Sequence, residues 1–221
     1  MTIVSIKPEA GGLLRMGLSD GSLFSFKAGY LPPLFWDESS ENPCLAAVFT
    51  AGYELNADEE ESFRFASTCL RAEKTALRLI ARAEQNVFRL SRKLEKRGFD
   101  SACARAVISR LSGLNLIDDR RYARMWLESR VSRQAASPRR LLGSLCARGI
   151  GRDDAEPALR EILDEETELR LMERFAEKLR RKHKIDDTGG EAYARRSLKF
   201  LLKNEGFSSA AIQRFLEDWN R

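Results

Sequence analysis

The sequence has a single histidine, four cysteines and no apolar run approaching the about 18 residues that a membrane span needs. Nothing in it is therefore read as crossing a membrane. Its start, "MTIVSIKPEAGG", lacks the basic opening and apolar stretch of a secretory signal. Cys44, Cys69, Cys103 and Cys146 lie far apart, with no CxxC pair and no histidine cluster beside them. Isolated thiols of this kind pack as small hydrophobes in a reducing compartment, so a cytoplasmic location is expected. His183, inside "RRKHKI", reads as a solvated side chain. A Gly-rich phosphate loop and a Gly-x-Ser-x-Gly elbow are both missing.

Asp118-Asp119 invites a metal-dependent nuclease, but the pair falls short of one. Adjacent side chains on a helix diverge, and no histidine or third acid is near enough in sequence to complete a metal site. Two acids at a helix start are better explained as an N-cap and a partner for the helix dipole. Asp186-Asp187 receives the same reading. No catalytic centre, metal or cofactor is expected, and the chain is read as a non-enzyme.

What the sequence does have is charge, unevenly spread over its 221 residues. The net charge is +5, yet residues 1–60 carry 3 basic and 9 acidic side chains, a balance of −6. Residues 71–152 carry 20 basic and 7 acidic ones, a balance of +13, and 153–221 return to −2 with 14 against 16. A field concentrated in the middle third favours a polyanion or an acidic protein surface as partner. A merely solvated helix surface explains the same count.

The apolar pattern changes near residue 58. Before it, "TIVSIK", "GLLRMGLSDG" and "SLFSFKAG" alternate with period two, and Ser19-Asp20-Gly21 supplies a hairpin turn. Residues 1–57 are read as a small antiparallel β segment that leans on the residues C-terminal to it, with 31–43 a proline-rich loop. From Asp58 onward the spacing is helical, with acids in the first turn. Breaks are expected at Gly98, Gly113, Ser137-Pro138, Gly149, Gly189-Gly190 and Gly206. Ser137-Pro138 suits a helix start and Gly149 a helix stop.

Three of the stops repeat one phrase: "LEKRGF" at 94–99, "LCARGI" at 145–150 and "LLKNEGF" at 201–207. Aligned on their glycines, Leu90, Leu141 and Leu198 stand eight residues before, and Leu94, Leu145 and Leu202 four before. Phe99, Ile150 and Phe207 follow directly. Upstream stripes such as Tyr122, Trp126 and Leu127 leave room for a third helix in each unit. The fold class is thus mainly α, a tandem array of three-helix repeats with a small N-terminal β segment. The expected domains are 1–57, then repeats at 58–113, 114–164 and 165–221. Asn204 and Glu205 in the third copy end the basic face before it.

The stretch "LNLIDDRRYARMWLESRVSRQAASPRRLLGSLCARGI", 114–150, resembles the centre of the RecX regulatory proteins of bacterial recombination. The matching pattern is Ile-Asp-Asp, an aromatic-Ala pair, and a basic helix ending in Arg-Gly-Ile. The resemblance extends over about residues 70–221, and "LLRMGLSDGSLFSF" and "AGYEL" look like the sheet extension of some members. Two features depart from the pattern. "RAEQNVFRL" stands where an Arg-Ser pair is common, and the third repeat carries the polar insertion "HKIDDTGGEAY".

The resemblance implies a non-enzymatic regulator of homologous recombination, and a monomer is expected. It would bind the RecA recombinase filament, most simply as an inhibitor of ATP hydrolysis and strand exchange, with affinity for single- and double-stranded DNA. A repeat array suits the groove of a helical polymer, and its basic middle would bind phosphate with strong salt dependence. The candidate contacts are Arg89, Lys93, Lys96 and Arg97 in the helix of 86–97, and Arg120, Arg121, Arg124, Arg130 and Arg133 in that of 119–133. Arg139, Arg140 and Arg148 follow in 138–148, with Arg140 and Arg148 expected on one face. Arginine suits forked contacts to phosphate or carboxylate. A basic helical DNA-binding module without a recombinase partner remains the alternative.

Overall fold

The computed structural model describes residues 1–37, 44–46, 48–182 and 190–219. Alternation at the N-terminus produces β1 (Ile3–Glu9), β2 (Leu13–Leu18) and β3 (Leu23–Lys27), an antiparallel sheet in the order β1-β2-β3. Its register pairs Ile6 with Met16 and Met16 with Phe24. The expected hairpin turn is present: Leu18 N–H donates to Ser22 O at 2.9 Å, and the Asp20 carboxylate accepts the Ser22 N–H at 2.9 Å. The proline-rich stretch is more ordered than a loop at its start, because Pro33 opens a 3-10 turn over Pro33–Phe35. The two-residue strands β4 (Trp36–Asp37) and β5 (Cys44–Leu45) then pair, while 38–43 lie outside the described residues.

The first helix, α1 (Ala57–Arg82), begins before Asp58 because its cap is Asn56. The Asn56 carboxamide accepts the Glu59 N–H and the Glu59 carboxylate accepts the Asn56 N–H, both at 2.9 Å, a capping box. Asp58, Glu59 and Glu60 occupy the first turn, as the dipole favours. α1 packs against β3 and against α2 (Val87–Glu95) and α3 (Ser101–Gly113). Ile3, Met16 and Phe26 from the sheet bury themselves with Phe63 and Ala66 of α1, and Leu90, Leu94, Val107 and Leu111 complete the same core. Phe63 stands 5.2–5.5 Å from the rings of Phe26, Phe35 and Phe49. A sheet this small needs an apolar face to bury, and here that face is covered by α1. Sheet and helices thereby form one compact unit, Met1–Ile117.

The second compact unit, Asp118–Arg221, contains α4 (Asp119–Arg133), α5 (Pro138–Cys146), α6 (Arg152–Ile162), α7 (Glu165–Arg181), α8 (Glu191–Glu205) and α9 (Ser209–Asp218). Leu127, Leu141, Leu145 and Ala158 share a core with Met172, Phe175, Leu198, Leu202 and Phe207. Polar bonds stitch the two helix triplets together. Arg174 of α7 donates to Val131 O at 3.0 Å, at the end of α4 where carbonyls lack helical partners. Buried Ser137 caps α5 by accepting the Arg140 N–H and donates its own hydroxyl to Glu205 O at 2.6 Å.

The repeated phrase is a repeated Schellman ending. Phe99 N–H bonds Leu94 O at 3.3 Å, Ile150 N–H bonds Leu145 O at 3.2 Å, and Phe207 N–H bonds Leu202 O at 3.2 Å. In each, the intervening glycine is left-handed, with φ of +86° at Gly98, +84° at Gly149 and +100° at Gly206. The motif places the residue after the glycine against the leucine four before it, which is why both are apolar. The stop expected at Gly113 is made instead by Asn115, whose φ is +54°, with Leu116 N–H bonded to Leu111 O at 3.0 Å. Gly113 is simply the last helical residue. No helix among the described residues is long and apolar enough to cross a membrane.

Candidate nucleic-acid interface

The candidate cations fall into both units. Arg89 and Lys93 stand one turn apart on α2, and Lys96 and Arg97 follow in the turn beyond Glu95, where the helix ends. Arg89, Lys96 and Arg97 are exposed, and Arg97 donates to Lys93 O at 2.9 Å. Lys93 is different. It is half-buried, and its ammonium donates to the Gln85 side chain at 2.6 Å, while Gln85 in turn donates to Ala83 O at 2.8 Å. Burial, then the neighbouring charges of Arg89 and Arg97, hold its pKa below the ordinary lysine value. Lys93 thus braces α2 against the end of α1. Asn86 caps α2 by accepting the Arg89 N–H at 2.8 Å, so the departure "RAEQN" supplies its own cap and brace.

On α4, Asp118 accepts the Arg121 N–H at 3.0 Å, the N-cap role expected of it. Arg120 and Arg124, one turn apart, both approach Glu161 of α6, at 3.9 and 3.3 Å. All three side chains are well exposed, so these pairs contribute at most about 1 kcal/mol and leave the guanidiniums open to an anion. Arg133 is exposed at the end of α4.

The tightest grouping surrounds Trp126. Arg130 lies 5.5 Å from the centre of its ring and Arg148 4.5 Å, two guanidiniums on one indole. Arg148 also donates to Ser144 O at 2.7 Å. The ring quadrupole holds both cations, at a gain of about 0.5–1 kcal/mol per contact, and the bond to Ser144 O fixes Arg148 further. Sequence spacing gave no hint of this meeting, since the two arginines are 18 residues apart. Only the Trp126-to-Arg130 step of four residues was visible in advance.

Arg140 and Arg148 do not share a face. α5 ends at Cys146, so Arg148 belongs to the turn beyond it and folds back towards Trp126. Arg140 instead pairs with Glu205 at 2.8 Å, and the stem of Arg139 lies over Gly206. These two arginines hold the end of α8, and their charged ends remain at the surface.

Among the described residues no three His, Cys, Asp or Glu side chains are placed to hold a metal. His183, Asp186 and Asp187 lie outside the described residues. Cys69, Cys103 and Cys146 are free thiols. The hydrogen bond to Cys103, and burial after it, raise the Cys69 thiol far above its ordinary range, the opposite of an activated nucleophile.

Residues 118–159 match a family model described as RecX, second three-helix domain. The regulatory protein RecX of Treponema pallidum (strain Nichols) is 38% identical over 152 residues, covering 69% of this chain and 87% of that one. The regulatory protein RecX of Mycobacterium bovis (strain BCG / Pasteur 1173P2) is 31% identical over 138 residues, 62% of this chain and 79% of that one. A crystal structure of regulatory protein RecX superposes with a TM-score of 0.70 at 20% identity, covering 98% of each chain. RecX from Lactobacillus salivarius superposes with 0.61 at 21% identity, over 70% of this chain and 98% of that one. The two superpositions establish the fold: helical, with a small N-terminal antiparallel sheet.

Proposed function

We propose that this chain, which belongs to the RecX family of regulatory proteins, binds the RecA–DNA filament in the cytoplasm as a monomer and inhibits its ATP hydrolysis and strand exchange. No catalytic step is required of it. The observation that carries the reading is the fixed guanidinium pair on Trp126, set among the exposed arginines of α4. Pre-positioned arginines meet phosphate at little entropic cost, and phosphate contacts position a protein without reading sequence. A filament coats DNA of every sequence, so a sequence-blind contact is the appropriate one. We propose the bounds 58–113, 114–164 and 165–221 as the repeated units of the chain, each ending its middle helix with the same glycine turn.

The test is RecA ATP hydrolysis on single-stranded DNA with and without substoichiometric protein. Inhibition well below DNA-saturating amounts is expected. Its absence, with DNA binding intact, would leave a DNA-binding module acting without a recombinase. Labelled DNA should stay uncut in magnesium or manganese.

Replacing Arg130 and Arg148 with serine together is expected to lower the slope of log affinity against log salt by about 1.4–1.8, two contacts at about 0.7–0.9 each. Replacing Arg120 and Arg124 should change it less, because Glu161 already shares their charge. Titrations of a labelled oligonucleotide at several salt concentrations read both, and the reverse order would remove the Trp126 pair from the interface.

A further inference from the structure

The exposed side of α8 carries an alternation that the charge count of the third repeat conceals. Tyr193 and Phe200 are 53% and 64% exposed, unusual for aromatic side chains. They stand at i and i+7, about 10.5 Å apart along the axis and on one face. Arg196 falls between them and Lys203 follows one turn beyond Phe200, giving aromatic, cation, aromatic, cation along one line. Both cations are exposed, and among the described residues neither makes an ion pair. The opposite side of α8 is already occupied, since Leu198 and Leu202 are fully buried and α9 packs against the helix. Beside the line, a cleft of about 820 Å³ between α8 and α9 is lined by Arg195, Lys199 and Gln213, with Glu191 and Glu217 also on its wall.

We propose that this face of α8 binds unpaired nucleic acid strands by stacking bases on Tyr193 and Phe200 while Arg196 and Lys203 hold the backbone phosphates. Cations interleaved with aromatic faces are the arrangement that single strands select, because every base has a π-face and stacking is indifferent to sequence. Duplex bases are stacked on one another and offer no such face. A membrane surface is a poorer match, since an interfacial helix buries a broad apolar side and the apolar side of α8 is spent on the core. The corner phrase of the third repeat does lose its cations to Asn204 and Glu205, but the basic surface resumes on the outer side of the same helix.

The assignment rests on the DNA contact of the proposed function, and adds to it a site, a single-strand preference and a base-stacking mode. The experiment measures affinity of the full chain for an oligo-dT strand, for a strand of equal length with abasic residues, and for a duplex. The wild type is expected to favour oligo-dT over the abasic strand by about tenfold or more, one to two stacked bases' worth. Tyr193→Ala with Phe200→Ala should bring oligo-dT down to the abasic level and leave abasic and duplex affinities unchanged. Tyr193→Phe should keep the preference. Arg196→Ser with Lys203→Ser should instead lower the single-strand salt slope by about 1.4.

A wild type that binds both strands alike, or binds neither, overturns the stacking site without needing any variant to fold. So does equal loss on all three ligands in the aromatic variant. If that variant loses phosphatidylserine vesicles and keeps oligo-dT, the face belongs to lipid instead. RecA inhibition by a wild type that ignores the missing bases would remove the α8 site and leave the filament reading standing.

Discussion

Glu73→Ala is expected to destabilise the N-terminal unit by about 3 kcal/mol, because it deletes the carboxylate on which three elements converge. Glu73 is 3% exposed on α1. It accepts from the Lys27 ammonium of β3 at 2.6 Å and from the Tyr30 hydroxyl at 2.8 Å, with Arg110 Nε of α3 at 3.8 Å. The Arg110 guanidinium lies against Gly29, where an added Cβ would come within 2.8 Å of it. Burial first, and the bond to Glu73 second, push the Tyr30 phenol far above its ordinary range, so it remains a donor throughout the folding range of pH. Removing one partner of a buried pair usually costs about 3–5 kcal/mol. The lower end applies here, since Lys27 and Arg110 are 23% and 34% exposed and recover some hydration. Glu73→Gln keeps a partner for Tyr30 but loses the charge, and should cost about half as much. Hydrogen exchange across the full chain reads the effect: amides of Met1–Ile117 lose protection and those of Asp118–Arg221 do not. A cost under about 1 kcal/mol would mean that the two cations gain from water all that they lose with the carboxylate.

The same substitution at two copies of one turn should differ about threefold. Gly98→Ala is expected to cost about 1 kcal/mol, the penalty of a left-handed alanine, since its added methyl meets nothing within 4 Å. Gly206→Ala incurs that penalty and a collision as well. Its φ is +100°, and the new Cβ would stand 2.5 Å from Arg139 Cβ and 2.8 Å from its Cδ. A Cβ is fixed to the backbone of α5 and has little freedom to move, so overpacking adds about 1–3 kcal/mol and brings the total to about 3. The damage should fall where Ser137 and Arg140 bind Glu205, loosening the seam between the helix triplets of the second unit. Urea unfolding of the two variants measures the difference. Equal costs would show that Arg139 yields freely.

The features visible in the sequence were those created by neighbours in the chain. The helix of 119–133 matches α4 residue for residue, because Asp118 supplies a cap and Gln134 begins extended backbone. Ser137-Pro138 starts α5, and the phrase of leucine, glycine and apolar residue ends three helices by one local bond pattern. Local rules failed where two residues could do one job. Helix α1 begins at Ala57 rather than Asp58 because Asn56 caps it, and Asn115 rather than Gly113 takes the left-handed position. Counting by eight also misplaced Arg148, because the helix ended first.

By itself, then, the sequence determined the helical units, their glycine turns, the N-terminal strands and the concentration of cations in 71–152, all consequences of backbone preference and periodicity within a few residues. Only the tertiary structure decided which charges are bound within the protein and which face outward. It set Glu73 among Lys27, Tyr30 and Arg110, gave Lys93 to Gln85, joined Arg130 and Arg148 on Trp126, and left Tyr193 and Phe200 uncovered. The reason is physical: a side chain's exposure and partners depend on which distant segments pack beside it, and that is set by the burial of a whole core rather than by spacing along the chain.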